Sequence, residues 1–169
     1  MIFKFMVKSF KFSLLIIIVC LMSGSAYSQR SSFEKALEEA ESDDKKIIVD
    51  IYTDWCGWCK KMDKDVYENK KIKKIIDKSF IVVKLDAEGT GKIKYNGTEF
   101  TETGLALYFE ASGYPTTVFL EPDGEVIEYK YKNNTMKNLP GYFNADEFKK
   151  MLIFIRDGKY KDSDLSKIF

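Results

Sequence analysis

The chain has 169 residues, of which 45% are hydrophobic and 15% aromatic, a composition typical of one domain with an apolar core. Its 27 basic and 26 acidic residues leave it close to neutral, which argues against nucleic acid as a partner. Histidine is absent and the chain has three cysteines, which excludes Ser-His-Asp and Cys-His catalysis, histidine-ligated zinc and four-cysteine metal sites. We therefore expect neither a metal nor a cofactor.

Residues 1–28 have the pattern of a signal peptide. Three lysines and no acid accompany an apolar run, Phe12–Met22, which is about half the length that a membrane span needs. Small residues at Ala26 and Ser28 predict cleavage after Ser28. One alternative is an uncleaved signal that anchors the protein to a membrane. Lipid attachment at Cys20 is a second alternative, which we discount because large β-branched residues precede this cysteine.

Cleavage would leave 24 basic and 26 acidic residues, a formal charge of −2, and only the cysteines Cys56 and Cys59. Export would place these thiols in a compartment where disulfides persist. We expect one folded domain over residues 29–157 and a polar C-terminal tail over residues 158–169.

The first half of this domain has alternating helix and strand signals. A buried β-branched strand is predicted at Lys46–Thr53, where Asp50 is the anomaly. Asn69 predicts a helix start, since its side chain can accept hydrogen bonds from free backbone amides. The predicted elements are helix 31–40, strand 46–53, helix 57–65, helix 70–78 and strand 80–86.

The second half begins with a small insertion at 89–101, in which Asn96-Gly97 predicts a tight hairpin turn. A helix at 103–111 follows, and then two strands, 116–120 and 126–131, joined by a turn into a hairpin. A last helix starts at Asn144 or Asp146 and ends at Gly158. This order predicts an α/β fold, a central mixed sheet with helices on both faces.

The pair Cys56 and Cys59 lies where the first strand passes into a helix. A disulfide between them closes a four-residue loop and stabilises the fold little, so a dithiol that opens and closes is the economical interpretation. At the helix start, unpaired amides and the nearby Lys60 and Lys61 favour a thiolate at Cys56, the predicted nucleophile. Cys59, one turn further on, would attack the resulting mixed disulfide.

Asp50 precedes Cys56 by six residues inside an apolar strand, where an unpaired carboxylate is costly to bury. Burial should raise its pKa, which would let it take the proton of Cys59. The alternative is a strand-end carboxylate in water. Lys84, on the next predicted strand, is a candidate partner for Asp50, and the alternative is an edge-strand lysine that faces solvent.

With these residues placed, the chain resembles the thioredoxin family over nearly all of the mature region. The resemblance rests on four motifs in register. They are Ile48-Val49-Asp50 followed by Trp55-Cys56-Gly57-Trp58-Cys59-Lys60, then Val83-Lys84-Leu85-Asp86, then Gly113-Tyr114-Pro115-Thr116, and then Gly141 with Phe148 and Leu152 of the closing helix. It implies a thioredoxin-like fold with a catalytic set comprising Cys56, Cys59, Asp50, Lys84 and Pro115. The substrate-binding set that it implies comprises Trp55, Gly57, Trp58, Tyr114 and Thr116.

The resemblance further implies that Pro115 is cis and that the backbone of Tyr114 pairs with an extended substrate. Trp58 stands where thioredoxin itself has proline, and it lacks the charge of the histidine found there in disulfide isomerases and strong oxidants. We therefore favour a monomeric reductase that acts on disulfides of exported proteins and draws electrons from a membrane donor. The alternatives are an oxidase or isomerase of the same fold, and a peptide-binding module without redox turnover.

Overall fold

The computed structural model describes residues 32–169, so the predicted signal peptide and the alternatives to it lie outside the described residues. Within this range, helices and strands alternate over the first half of the chain and short strands dominate the second. The α-helices and strands, in chain order, are α1 (Phe33–Asp43), β1 (Lys46–Tyr52), α2 (Gly57–Met62), α3 (Lys70–Ser79), β2 (Phe80–Asp86), β3 (Lys92–Tyr95), β4 (Thr98–Thr101), α4 (Glu102–Tyr108), β5 (Thr116–Leu120), β6 (Tyr129–Tyr131), β7 (Asn134–Met136), β8 (Leu139–Pro140) and α5 (Ala145–Arg156).

The central sheet has the strand order β2-β1-β5-β8. Strand β1 runs parallel to β2 and antiparallel to β5, so the sheet is mixed. Five consecutive β1 residues, 47–51, are buried, because both faces of this central strand are covered. The sequence-based prediction of a mixed sheet at the centre of the domain is therefore confirmed.

Each face of the sheet packs against its own helices. Ile47 and Val49 lie in one apolar cluster with residues of α1 and α4. Ile48 and Phe119 lie in a second cluster with residues of α3 and α5. Because successive side chains of a strand point to opposite faces, these clusters form the two layers of the core. Helices therefore cover both faces, as predicted.

The insertion after β2 is the predicted hairpin. Strands β3 and β4 are antiparallel, and Asn96 and Gly97 between them have φ values of 48° and 76°. Positive φ at both loop residues is the geometry of a type I′ turn, which Asn-Gly favours. Tyr95 is buried beside Phe33 and donates a hydrogen bond to the carbonyl oxygen of Gly124 at 2.8 Å, so the hairpin is part of the core.

The predicted pairing of residues 116–120 with residues 126–131 is wrong beyond its first residues. Leu120 and Val126 form one bridge, but strand β6 then pairs with β7, and β8 occupies the position beside β5. The physical reason is a second two-residue turn, in which Lys132 and Asn133 have φ values of 50° and 66°. This turn folds the strand back on itself.

The segment predicted as a polar tail packs on the domain as two short 3-10 helices, Lys159–Lys161 and Leu165–Ile168. Leu165 is buried in the second core cluster. Asp164 accepts hydrogen bonds from the backbone amides of Lys132 and Asn133, at 3.1 and 2.8 Å, and so ties this segment to the β6–β7 turn. Among residues 32–169, no helix is both long and apolar enough to cross a membrane.

Asp164 predicts a pH-dependent contribution to stability. Hydrogen bonds from Ser166, Asn133 and Lys132 hold the pKa of its carboxyl group well below the ordinary value of 3.8. The stabilisation is therefore complete above the unfolded-state pKa and is lost as the pH falls below it. Urea unfolding should show that Asp164→Asn is destabilising at pH 7 and that the difference from the parent shrinks below about pH 4. Asp162→Asn, at an exposed position, should show neither effect; a difference that is independent of pH would contradict this role for Asp164.

Candidate active site

The two cysteines form a disulfide at the first turn of α2, immediately after the loop that follows β1. Cys56 is the N-cap residue, and its Sγ accepts a hydrogen bond from the backbone amide of Cys59 at 3.0 Å. The Cys56 amide donates to the carbonyl oxygen of Thr53 at 3.1 Å, which fixes the loop before the helix. The predicted cysteine pair is therefore present in its oxidised form, at a helix N-terminus that favours negative charge on sulfur.

Both half-cystines are largely covered, Cys56 with 4% and Cys59 with 2% of its surface exposed. The residues beside them lie at the surface, with Trp55 67% and Trp58 58% exposed. At Gly57 an added Cβ would meet no other atom within 4 Å. Trp55 and Trp58 are therefore open to solvent beside the cysteines, and the binding of a substrate by these residues and Gly57 stays a prediction.

One of the two lysines that follow Cys59 is paired with a carboxylate. Lys61 forms an ion pair with Asp65 one helical turn further on. Their hydrogen bond raises the pKa of Lys61 above its ordinary value and lowers that of Asp65. The sequence suggested that Lys60 and Lys61 both favour a thiolate at Cys56, whereas the structure neutralises Lys61 with this carboxylate.

The loop before β5 contacts Trp55, the residue before Cys56, through Tyr114. Its ring lies 6.1 Å from that of Trp55, and the Tyr114–Pro115 peptide bond is cis, the conformation that the resemblance implies. Thr116 is fully buried, and its hydroxyl donates to the carbonyl oxygen of Gly113 at 2.8 Å. The Thr116 side chain thus holds the loop, and its role in substrate binding stays a prediction.

Asp50 and Lys84 form a buried ion pair on the sheet. They are register partners in the β1–β2 ladder, with side-chain exposures of 2% and 9%. Both alternatives from the sequence, a hydrated Asp50 at a strand end and a solvent-facing Lys84, are therefore excluded by the structure. A buried lysine beside a buried carboxylate compensates part of the cost of removing each charge from water.

A second carboxylate, Asp63, shares this lysine and was missed by the sequence analysis. Its Oδ1 lies 2.7 Å from Nζ of Lys84, and its side chain is 32% exposed. Asp63 begins a π-helix, Asp63–Tyr67, that continues α2, where a plain helix was predicted to residue 65. The rings of Tyr52 and Tyr67 lie 5.0 and 5.7 Å from the same ammonium group.

No sequence motif includes Asp63. Its position two helical turns after Cys56 indicates a role only once the structure shows that Lys84 lies beside it. Tyr142 was missed for the same reason. Its ring packs 5.3 Å from that of Trp58, although the two residues are 84 positions apart.

Within the part of the chain that the structure describes, no group of three or more Cys, Asp or Glu residues is placed to hold a metal ion.

A mixed sheet that carries a cysteine pair at the start of a helix, above a buried carboxylate and lysine, defines a thioredoxin-like protein of the thiol-disulfide oxidoreductase class. A family model named Thioredox_DsbH, described as a protein of unknown function, DUF255, matches residues 29–163. The chain belongs to this family.

Curated relatives support this class. Protein disulfide-isomerase of Zea mays is 27% identical over 85 residues, which cover 50% of this chain and 14% of that protein. The thiol:disulfide interchange protein DsbD of Actinobacillus pleuropneumoniae is 25% identical over 128 residues, which cover 72% of this chain and 19% of that protein. The chain thus spans less than a fifth of the length of either relative, and the similarity concerns part of each.

Solved structures confirm the thioredoxin-like fold. A thioredoxin-fold protein from Helicobacter pylori gives a TM-score of 0.62 at 23% identity, over 74% of this chain and 80% of that one. A disulphide-isomerase candidate from Bacteroides thetaiotaomicron gives a TM-score of 0.56 at 28% identity, over 80% of this chain and 93% of that one. The predicted fold class is therefore confirmed.

The shared lysine leads to a prediction about stability. Lys84→Met leaves Asp50 buried without its cation and should lower the free energy of unfolding at neutral pH by about 3 to 5 kcal/mol. Adding Asp50→Leu to this variant removes the buried carboxylate that has lost its cation, and it should recover most of the lost free energy of unfolding. Urea denaturation measures both.

The matched control is Lys73→Met, which removes an exposed lysine 3.8 Å from Asp77 on α3 and should cost less than about 1 kcal/mol. Equal losses for the Lys84 and Lys73 variants would show that the buried pair contributes no more than a surface pair. A double variant less stable than Lys84→Met alone would show that the carboxylate of Asp50, buried without its cation, does not cause the loss of stability.

Proposed function

We propose that this protein is an exported thiol-disulfide oxidoreductase that reduces disulfide bonds in other exported proteins. The observation that carries the proposal is the Cys56–Cys59 disulfide at the N-terminus of α2, flanked by exposed aromatic side chains. A four-residue disulfide loop at a helix start contributes little stability, whereas it suits reversible exchange. The similarity to protein disulfide-isomerase and DsbD sequences supports the same class of reaction.

The reaction starts from the reduced protein. The thiolate of Cys56 attacks one sulfur of the substrate disulfide, so that an intermolecular disulfide forms and the other substrate sulfur leaves as a thiolate. Cys59, once deprotonated, attacks Sγ of Cys56, which closes the Cys56–Cys59 disulfide and releases the second substrate thiolate. The substrate gains two electrons and two protons, and the protein loses them.

We assign proton transfer in the second step to Asp50, with Lys84 and Asp63 as positioning residues. Asp50 lies on the central strand that leads directly into the cysteine loop, and it is 1% exposed. A buried carboxylate can accept the Cys59 proton without competition from bulk water. Pro115 and the backbone of Tyr114 are assigned to holding the substrate segment beside Cys56.

The direction of electron transfer depends on how well the reduced form of the cysteine pair is stabilised. Strong oxidants owe their potential to a stabilised thiolate in the reduced state. Here Trp58 supplies no charge between the cysteines, and the ammonium of Lys61 is bound to Asp65. Both features favour a reductant, which needs a dithiol donor to return two electrons to Cys56 and Cys59. We assign that role to a membrane protein, and we assign export to residues 1–28 with cleavage after Ser28.

Cysteine variants test the reaction. Cys56→Ser should abolish the acceleration of insulin reduction by dithiothreitol, because the protein then has no nucleophile to open the substrate disulfide. Cys59→Ser should abolish turnover and accumulate intermolecular disulfides, visible on non-reducing gels, because the second attack is lost. If the unaltered protein does not accelerate insulin reduction, the competing function, a peptide-binding module formed by Trp55, Trp58 and Tyr114, takes its place.

The reduction potential tests the direction. Equilibration of the purified protein with dithiothreitol or glutathione buffers should give a value near that of thioredoxin, about −270 mV. A value above about −180 mV would make the disulfide the reactive form and the protein an oxidase or isomerase. The Cys59→Ser variant, which cannot form the disulfide, is the control that assigns the signal to this pair.

A further inference from the structure

The two faces of the domain carry opposite charge. Helix α1, on one face of the sheet, has five acidic residues and one lysine over Phe33–Asp43. Helix α3, on the other face, has five lysines and one aspartate over Lys70–Ser79. The formal charges of these helices are therefore −4 and +4, although the whole chain carries only +1. A nearly neutral chain thus folds into a strongly polarised domain.

The packing of α3 holds its lysines at the surface. Ile72 and Ile76 are buried in the second core cluster, and they turn the apolar side of the helix towards the sheet. The rest of the helix surface therefore faces solvent. All five lysines of α3 are exposed, from its first turn to its last.

A single acid accompanies these lysines. Asp77 lies 3.8 Å from Lys73, and this is the one ion pair that a lysine of α3 makes within residues 32–169. The other four lysines keep their charge free for a partner outside the domain. These four are Lys70, Lys71, Lys74 and Lys78.

Helix α5 extends the positive charge beyond α3. The two helices are in contact, and Lys149 and Lys150 lie in the second turn of α5. A crevice of about 340 Å³ between the starts of the two helices is lined by Lys70, Lys71 and Lys149, with Asp146 as its one acid. We call the seven lysines of α3 and α5 the cationic face. It comprises Lys70, Lys71, Lys73, Lys74, Lys78, Lys149 and Lys150.

The chemistry of the cationic face favours a layer of anionic headgroups over a single carboxylate. All of its cations are lysines, which are point charges on flexible stems, whereas paired, planar contact with a carboxylate is typical of arginine. The lysines of α3 are spread along about 15 Å, the rise of ten helical residues. Mobile charges spread in this way suit a fluid lipid surface, where each lysine strengthens binding about fivefold.

The opposite charge of α1 gives such a contact a direction. An anionic surface attracts α3 and repels α1, so the domain would settle with its cationic face towards the lipid. Helix α3 ends where β2 begins, beside the first residue of β1, whereas the disulfide follows the last residue of β1. The end of α3 and the disulfide thus lie at opposite edges of the sheet, and the contact leaves the cysteines accessible.

We propose that the cationic face docks on anionic lipid headgroups and holds the protein at a membrane surface. This inference goes beyond the proposed disulfide exchange, because the docking involves neither cysteine. It also places the protein beside the membrane electron donor that the proposed function requires.

The test measures co-sedimentation with lipid vesicles of the form cleaved after Ser28, which contains both core clusters. At about 50 mM salt, phosphatidylcholine vesicles with about 30% phosphatidylglycerol should bind it about a hundredfold more tightly than phosphatidylcholine alone. Raising the salt to about 300 mM should remove most of this difference, because salt screens the charges of exposed lysines.

Matched variants separate the cationic face from net charge. Lys71→Gln combined with Lys74→Gln should weaken binding to the anionic vesicles about tenfold. Lys35→Gln combined with Lys94→Gln removes the same charge from exposed positions on α1 and the β3–β4 hairpin, and it should match the parent. Equal losses in the two double variants would show that net charge determines binding, and would overturn the proposal.

Three further results would also overturn it. They are equal binding to both kinds of vesicle, binding that persists at the higher salt, and failure to bind the anionic vesicles. In the last case, salt-sensitive binding to polyglutamate would make an acidic polypeptide the partner in place of lipid.

Insulin reduction in the absence of vesicles separates this inference from the proposed function. Both lysine double variants should reduce insulin as fast as the parent, and Cys56→Ser should bind vesicles as tightly as the parent. If the protein binds anionic vesicles but does not reduce insulin, the proposed function fails and the docking stands. If it reduces insulin but does not bind the vesicles, the docking fails and the proposed function stands.

Discussion

The burial of Asp50 beside Lys84 is the constraint on which the rest of the structure depends. Asp50 lies in the middle of β1, between two neighbouring strands and under helices, where an isolated carboxylate would be very costly. The β1–β2 register places Lys84 beside Asp50. A shift of one residue in this register would therefore leave both charges without a partner. Well-packed apolar residues are often as stable as such a pair. Stability alone therefore does not explain why charge is placed here, whereas the proposed role of Asp50 as proton acceptor for Cys59 would explain it.

The same lysine joins the sheet to the helix that carries the disulfide. Lys84 contacts Asp50 on the strand side and Asp63 on the helix side, and the π-helical turn that starts at Asp63 continues directly from α2. Cys59 and Met62, on the inner face of α2, are buried and hold the helix by packing. Charge and packing together fix the position of the resolving cysteine relative to the proposed proton acceptor, which proton transfer over a short distance requires.

The sequence was informative where structure depends on local signals. The β-branched runs predicted β1 and β2, Asn69 predicted the start of α3, and Asn96-Gly97 predicted a turn because both residues accept positive φ. The β6–β7 ribbon was missed since its turn uses Lys132 and Asn133, neither of them glycine, and β8 was missed because two residues carry no periodicity. In the site, the cysteines and Asp50 stand out by residue type, whereas Asp63 and Tyr142 acquire their contacts only through tertiary packing.

A protein that takes electrons from one partner and gives them to another must receive both at the same disulfide. The two aromatic pairs, Trp55 with Tyr114 and Trp58 with Tyr142, suit this requirement, because flat rings offer contact area without demanding a particular set of hydrogen bonds. Tight binding of either partner would slow its release and block the other. In the proposed mechanism, the buried charges of Asp50 and Lys84 act on the proton of Cys59, and they would do so whichever partner occupies the surface. As we propose them, recognition at the aromatic surface and proton transfer at Asp50 involve different groups, which would allow one cysteine pair to serve two partners in turn.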